Sequence, residues 1–297
     1  MPSSVQTTTF ERIDSYKQWR SGLKPAATTT GGQQKPLVGF VPTMGALHEG
    51  HATLIKEARS QCRHVVVSIF VNPLQFGPTE DFGKYPRTFP ADERLCRSLG
   101  VDAILHPGVE EVYPRPLAEL TKIVPPSQLI ERLCGLFRPG HFEGVATVVM
   151  KLLGMVEPSV AYFGEKDFQQ LAVIKRMVAD LDFPVSIVGV PTVREVDGLA
   201  LSSRNVYLTP QQRSAAPSLY RALKLVADES LSGKQPLAQV LEQARSQISS
   251  LDGVTLQYLE ACDPDSLMPL TEARRPMVVL VAAKFGTVRL IDNFLAR

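Results

Sequence analysis

The sequence predicts an α/β chain: a parallel sheet with helices on both faces, followed by a smaller C-terminal α+β domain. Three observations lead there. Short, continuously apolar runs alternate with helical stretches up to about residue 190. Beyond that point the order changes to helices followed by clustered strand-like runs. The most distinctive polar motifs also fall directly after the apolar runs. Strands buried on both faces read as unbroken apolar segments, and ligands of such sheets bind outside the carboxyl ends of the strands.

The elements are expected in the following order. Phe10–Leu23 reads as a helix with Phe10, Ile13, Trp19 and Leu23 as its apolar contacts. Pro25–Gln34 is small, polar and glycine-containing, which suits a flexible surface loop. Strands are then expected at Leu37–Val41, Val65–Val71, Val101–Leu105, Ser159–Phe163 and Val185–Gly189. The intervening helices are Gly50–Arg63, Ala91–Leu99 (closed by Gly100), Gly144–Val156 and Asp167–Leu181. This is a Rossmann-like pattern with right-handed crossovers. Pro210–Leu231 and Pro236–Leu251 read as helices, and Val254–Glu260, Met277–Ala283 and Thr287–Asp292 as strands. The expected domains are therefore 1–190 and 191–297.

Bulk properties narrow the function. A chain of 297 residues has room for two domains, and 44% hydrophobic with 21% charged residues is an ordinary globular balance. A net charge of +2 gives no argument for nucleic acid or an acidic membrane surface as the main partner. Cys62, Cys96, Cys134 and Cys262 are scattered, without CxxC or metal-type spacing, which suggests reduced thiols and a cytoplasmic protein. No apolar run approaches the roughly 20 residues of a membrane helix. Met1–Gln6 lacks the basic-then-apolar layout of a secretory signal, while Ser, Thr and Arg12 leave an organelle transit segment open.

The first expected strand runs into Pro42–His51, which reads Pro-Thr-Met-Gly-Ala-Leu-His-Glu-Gly-His. Gly45 and Gly50 permit close backbone approach, and a helix start here should aim free backbone N–H groups and its dipole at an anion. His48 and His51, three residues apart, fall on one side of that start. Three readings stand open for the pair: phosphate contacts, ordinary loop histidines, or two ligands of a zinc site without an evident third. Asn72 and Gln75 are uncharged amides after the second strand, suited to hydroxyl or carboxylate groups. Asp92 is a candidate to assist a magnesium ion. Arg138–Gly144 leads into a helix. After the fourth strand, Gly164-Glu165-Lys166-Asp167 makes a second glycine-containing turn with a lysine suited to phosphate, and Asp167 suits a helix cap. Ser202, Ser203 and Arg204 supply two hydroxyls and a guanidinium, either an anion grip or a plain solvated turn.

His48-Glu49-Gly50-His51 resembles the His-x-Gly-His signature of the nucleotidyltransferase superfamily, and the longer Pro42–His51 string resembles the pantothenate synthetase (pantoate–β-alanine ligase) family. Asn72–Gly77, Asp81–Thr88, Arg138–Gly144, Gly164–Gln170 and Val193–Asn205 continue the resemblance in the same order. It implies ATP-dependent activation of pantoate as an acyl-adenylate, then amide formation with β-alanine, with magnesium, in a cytoplasmic homodimer without nucleic acid or membrane partners. It also implies an ATP site at Met44, Gly45, Ala46, Leu47, His48, Glu49, Gly50, His51, Gly164, Glu165, Lys166, Asp167, Val193, Leu201, Ser202, Ser203 and Arg204. Gln75 and Gln170, with Asn72 close by, are implied to hold pantoate, and Gln75 to contact β-alanine as well. His48, His51, Lys166 and Arg204 are implied to be catalytic, and the Ser202–Asn205 loop to close over phosphates. Two departures from the family pattern are visible: Pro25–Gln34 reads as an insertion, and Leu201 stands where methionine is common. The competing readings are another nucleotidyltransferase, such as one resembling phosphopantetheine adenylyltransferase, a nucleic-acid module on a synthetase-like fold, and a non-catalytic nucleotide binder.

Overall fold

The computed structural model describes residues 6–23, 37–77 and 82–297. The loop expected at Pro25–Gln34, the N-terminal stretch up to Val5 and Asp81 lie outside the described residues. The chain forms two compact units: Met1–Pro125, Arg138–Gly164 and Val173–Val190 make the first, and Pro126–Phe137, Glu165–Ala172 and Pro191–Arg297 the second.

In chain order the strands are β1 (Thr8–Phe10), β2 (Val38–Thr43), β3 (His64–Ile69), β4 (Ala103–Leu105), β5 (Val160–Gly164), β6 (Ser186–Val190), β7 (Val254–Cys262), β8 (Met277–Phe285) and β9 (Val288–Ala296). The helices are α1 (Ile13–Ser21), α2 (Glu49–Gln61), α3 (Phe89–Ser98), α4 (Val109–Val112), α5 (Ser127–Ile130), α6 (Cys134–Phe137), α7 (His141–Val156), α8 (Phe168–Asp180), α9 (Pro210–Ala215), α10 (Ser218–Leu231) and α11 (Leu237–Ser249).

The first unit is built on a six-stranded, wholly parallel sheet in the order β1-β4-β3-β2-β5-β6. Val41, Val65, Val67, Ile104 and Tyr162 pack with Ile55 and Ala58 of α2 into one buried cluster. Consecutive strands run outward in both directions from β2, so the topological switch lies between β2 and β5, and the residues after β2 occupy the position where such sheets bind ligands. All five expected strands are present. The sixth, β1, takes Phe10 out of the expected first helix and pairs it with Leu105. A three-residue strand is too short to show a period.

The second unit contains a three-stranded antiparallel sheet, β7-β8-β9. Leu219, Leu223, Val226, Val240 and Ala244 of α10 and α11 pack with Val279, Val281 and Phe285 of β8. The single helix expected over Pro210–Leu231 is two helices, interrupted around Pro217. Proline lacks the N–H that a helix interior needs, and its ring crowds the preceding turn. Among the described residues, no helix is long and apolar enough to cross a membrane.

Helix α7 meets the turn after β3 at Gly144, where a Cβ would lie 2.2 Å from the Leu74 carbonyl oxygen. Gly144→Ala should therefore destabilise the protein by about 1–3 kcal/mol, as overpacking does. Urea unfolding measures this, and an unchanged midpoint would show that the helix and the turn yield freely.

Candidate active site

The turn after β2 is held by hydrogen bonds that come from inside the protein. Gly45 has φ 84° and Ala46 φ 51°, both left-handed, so the chain reverses sharply before α2. The Gly45 N–H donates to Thr43 Oγ1 (3.2 Å), whose hydroxyl donates to the Ser68 carbonyl of β3 (2.7 Å). The Ala46 and Leu47 N–H groups donate to the two carboxylate oxygens of Asp92, at 3.0 and 2.8 Å. Asp92 lies in the first turn of α3, is 2% exposed, and also accepts from the Thr88 hydroxyl. Burial, and next the Asp92 carboxylate, push the Cys96 thiol one turn along up to about 12, so it stays uncharged. One expectation is corrected here: the N–H groups of Ala46 and Leu47 are not free to face an anion, because the Asp92 carboxylate anchors this turn.

His48 and His51 cap the helix reciprocally. His48 is the N-cap residue of α2; its Nδ1 accepts from the Gly50 N–H (3.1 Å), and His51 Nδ1 accepts from the His48 N–H (3.3 Å). The ring centroids are 4.2 Å apart. A Cβ on Gly50 would come within 2.8 Å of His48 Cε1, so glycine lets the ring fold back over the turn. An Nδ1 that accepts a hydrogen bond carries no proton, so each neutral ring carries its proton on Nε2. The pair thus places two oriented imidazoles at a helix N-terminus, where the dipole favours anions. Glu49 is exposed and pairs with Lys56 at 2.7 Å.

The amides after β3 have different positions. Asn72, 1% exposed, gives its Nδ2 hydrogens to Gln75 Oε1 (3.2 Å) and the Gly144 carbonyl (3.1 Å). Its Oδ1 accepts from the Leu74 N–H (3.2 Å) and the Tyr113 hydroxyl (2.8 Å). Burial raises the Tyr113 phenol above its usual range, so it remains a protonated donor. Asn72 is thereby saturated by protein groups and orients Gln75, whose Nε2 reaches Met44 Sδ at 2.7 Å. His141 Nδ1 donates to the Gln75 carbonyl (2.9 Å), which leaves Nε2 to accept from Arg138 (2.9 Å). A cavity of about 160 Å³ opens beside Gln75, with Lys122, His141, Glu143 and Thr147 as its other polar lining groups.

In the second unit, Glu165–Asp167 forms a short 3₁₀ turn. Lys166 Nζ lies 3.8 Å from the Asp167 carboxylate, and Glu165 pairs with Arg297. The carbonyls of Glu165 and Lys166 both accept from Asn293 Nδ2, at 2.8 and 2.9 Å. Of the adjacent glutamines, Gln169 is buried and spent on Leu129, Arg132 and Cys134, whereas Gln170 is half-buried. Val193 and Leu201 close a small hairpin through the Leu201 N–H and Val193 carbonyl (2.9 Å), and Ser202 Oγ caps the exposed Ser203–Arg204 turn by accepting from the Arg204 N–H (3.2 Å). Gly164 ends β5.

The structure thus brings together His48 with His51, and Asn72 with Gln75 and Met44, in the first unit. In the second it gives Lys166 a fixed turn. Sequence reasoning missed Tyr113 and Asn293. A tyrosine 41 positions from Asn72 and an asparagine 127 positions from Lys166 leave no local spacing by which to find them.

Comparison with known proteins identifies the family of the chain. The family profile described as pantoate-beta-alanine ligase matches residues 8–295. A bifunctional pantoate ligase/cytidylate kinase of Synechococcus elongatus is 54% identical over 256 residues, covering 86% of this chain and 49% of that protein, so the chain spans about half the length of that relative. The crystal structure of pantothenate synthetase from Thermus thermophilus superposes with a TM-score of 0.86 at 45% identity, over 96% of this chain and 98% of the other. Pantoate-beta-alanine ligase from Francisella tularensis, complexed with beta-gamma ATP and beta-alanine, gives a TM-score of 0.76 at 36% identity over 98% of each chain.

The anchoring role of Asp92 separates cleanly from a metal-holding one. Asp92→Asn puts an N–H group where an acceptor now faces a backbone N–H. Metal-free protein should lose about 1.5–3 kcal/mol in urea unfolding. An Asp92 needed only for magnesium would leave the metal-free midpoint where it was.

Proposed function

Because the chain belongs to the pantoate-beta-alanine ligase family, we propose that it joins pantoate to β-alanine at the expense of ATP. In the first half-reaction a pantoate carboxylate oxygen attacks the α-phosphorus, the bond to the β-phosphate oxygen breaks, and pyrophosphate leaves. In the second, the β-alanine amine attacks the acyl carbon of pantoyl-adenylate. The bond to AMP breaks, the nitrogen loses a proton, and pantothenate and AMP are released. Adenylation is needed because an amine does not displace oxygen from a free carboxylate at neutral pH.

The observation that carries this reading is the capping pair of His48 and His51, in which each Nδ1 accepts from a backbone N–H and Nε2 is left as the donor nitrogen of the ring. Such donors stabilise charge that builds on phosphate oxygens and do not act as competing nucleophiles. In this reading His51 works as an oriented hydrogen-bond donor. Lys166, Ser202, Ser203 and Arg204 add charge and hydroxyl contacts to the triphosphate, as the resemblance implies, and the Ser202–Asn205 loop closes to exclude water. Met44–Leu47, Glu49, Gly50, Gly164, Glu165, Asp167, Val193 and Leu201 contribute main-chain and packing surface to the nucleotide. Gln75 and Gln170 hold pantoate, and Asn72 serves by orienting Gln75. The cavity beside Gln75 carries an ammonium at Lys122 and a carboxylate at Glu143, a set suited to a small zwitterion such as β-alanine.

Magnesium enters with the nucleotide in this reading. Among the described residues no group of three or more His, Cys, Asp or Glu side chains is placed to hold a metal. That suits an ion carried on substrate phosphates, where magnesium keeps most of its own waters. A cytoplasmic homodimer is carried over from the resemblance, and the near-neutral charge fits small-molecule substrates.

Two measurements test the proposal. Protein supplied with ATP, magnesium, pantoate and β-alanine should form AMP and pantothenate, and omission of any one substrate should abolish both. A dinucleotide-like product would reject it. His51→Ala should slow pantoate-dependent pyrophosphate release by about 10²–10³-fold, the usual cost of one transition-state donor; an unchanged rate would remove His51 from the chemistry.

A further inference from the structure

Strand β9 carries Asp292 and Asn293 side by side, each only 5% exposed. Acidic and amide residues are depleted in strands, and burying them requires complete pairing. Their pairing is unusual in where it leads. Asn293 spends both Nδ2 hydrogens on consecutive carbonyls, those of Glu165 (2.8 Å) and Lys166 (2.9 Å). Its own carbonyl accepts from Arg194 Nη2 (3.0 Å), and its N–H donates to Asp292 Oδ1 (2.8 Å). Asp292 grips the same guanidinium bidentately, at 2.7 and 2.9 Å. Arg194 also donates to the Gly198 carbonyl (3.0 Å), and its guanidinium lies 3.8 Å from the Tyr220 ring centroid of α10. Gly198 adopts φ 93°, and a Cβ there would meet Tyr220 at 2.6 Å. The hairpin so clamped pairs Arg194 with Ala200 and runs directly into Ser202, Ser203 and Arg204.

One strand edge thus holds two segments far apart in sequence, the turn that bears Lys166 and the hairpin that leads to Ser202–Arg204. Sheet formation does not require this, since β9 already pairs with β8 throughout its length. The contacts of the Asn293 amide fix the two peptide planes at either side of the Lys166 backbone, and so the direction from which its side chain leaves the turn.

We propose that Asn293, backed by Asp292 and Arg194, is a positioning residue for adenylation. It touches no substrate and acts through Lys166 by fixing the turn from which the lysine reaches phosphate. The inference rests on the proposed role of Lys166 in binding ATP. Asn293 is a better probe than Asp292 or Arg194, because breaking a buried charge pair destabilises the fold whatever its function.

The test is a double-mutant cycle on the full chain, reading the affinity for a non-hydrolysable ATP analogue by calorimetry and the rate of pantoate-dependent pyrophosphate release. Asn293→Ala in otherwise unaltered protein should weaken one or both by roughly 10- to 100-fold, the span of coupled contacts. In a Lys166→Ala background the same change should cost less than about twofold, because the group it positions is gone. Equal losses in both backgrounds, or no loss in either, overturn the positioning role. If Lys166→Ala alone leaves affinity and rate intact, the assignment of Lys166 to ATP fails first and this inference with it. Asn293→Ser keeps a small polar side chain that no longer spans both carbonyls. It should reproduce the pattern if Asn293→Ala does not fold, and failure to reproduce it counts against the proposal equally.

Discussion

A single buried carboxylate decides what the turn after β2 can offer. Helix starts that follow parallel strands commonly present main-chain N–H groups to an anion. Here Asp92 accepts from Ala46 and Leu47, Thr43 from Gly45, His51 from His48, and His48 from Gly50. The carboxylate replaces its lost hydration with charge-assisted bonds, which offset the cost of burying it. Through those bonds α3 fixes a left-handed pair of residues that would otherwise sample many conformations. With the N–H groups of Gly45, Ala46, Leu47, His48 and Gly50 committed to the protein, the proposed contact with phosphate runs through imidazole, and imidazole orientation becomes the property that the fold has to secure.

The same logic governs the amides. A glutamine on a turn has many rotamers, and holding one of them costs entropy. Asn72 reduces that freedom by accepting and donating at every position it has, to Leu74, Tyr113, Gly144 and Gln75. Gly144 makes the arrangement possible, because only a residue without Cβ lets α7 approach the turn so closely. Three elements distant in sequence therefore converge on one side-chain amide. In the proposed role of Gln75, an amide held this way needs little reordering to meet a ligand, which keeps binding energy for the reaction.

The sequence made the parallel strands legible because burial on both faces writes a nearly unbroken apolar run, as at Val65–Ile69, where Ser68 is the one polar residue. It made His48 and His51 legible because a helix start imposes a fixed spacing. Family resemblance supplied the rest of the proposed site. What stayed hidden has a common cause. Whether a polar residue faces a ligand or is spent on the protein depends on partners remote in the chain. The anchoring of Ala46 and Leu47 by Asp92 stayed hidden because nothing near Asp92 in sequence announces them. The hydrogen bonds of Asn72 stayed hidden because Tyr113 and Gly144 are far away in the chain. Gln169 and Gln170 are neighbours of one type, yet only the first is consumed by carbonyls of the 129–132 segment. The short β1 and the break at Pro217 were lost for a simpler reason: three residues carry no period, and a proline at a helix junction resembles one inside an apolar helix pattern.

Local disagreement with propensity is itself informative. Most of β8 is apolar and buried, as a central strand should be, whereas its neighbour β9 interrupts the pattern with Asp292 and Asn293. A strand would be better served there by β-branched residues. The polar pair persists because its side chains reach segments outside the sheet: the Arg194 hairpin and the Glu165–Lys166 turn. Asp92 follows the same rule in the first unit, a charge buried in a helix whose partners belong to another element's turn. In both places the fold buries a polar residue, and in both the compensation is a fixed backbone beneath a side chain proposed to meet phosphate. Buried polar residues whose partners lie in a neighbouring turn, and not in their own helix or strand, are where this chain subordinates stability to geometry.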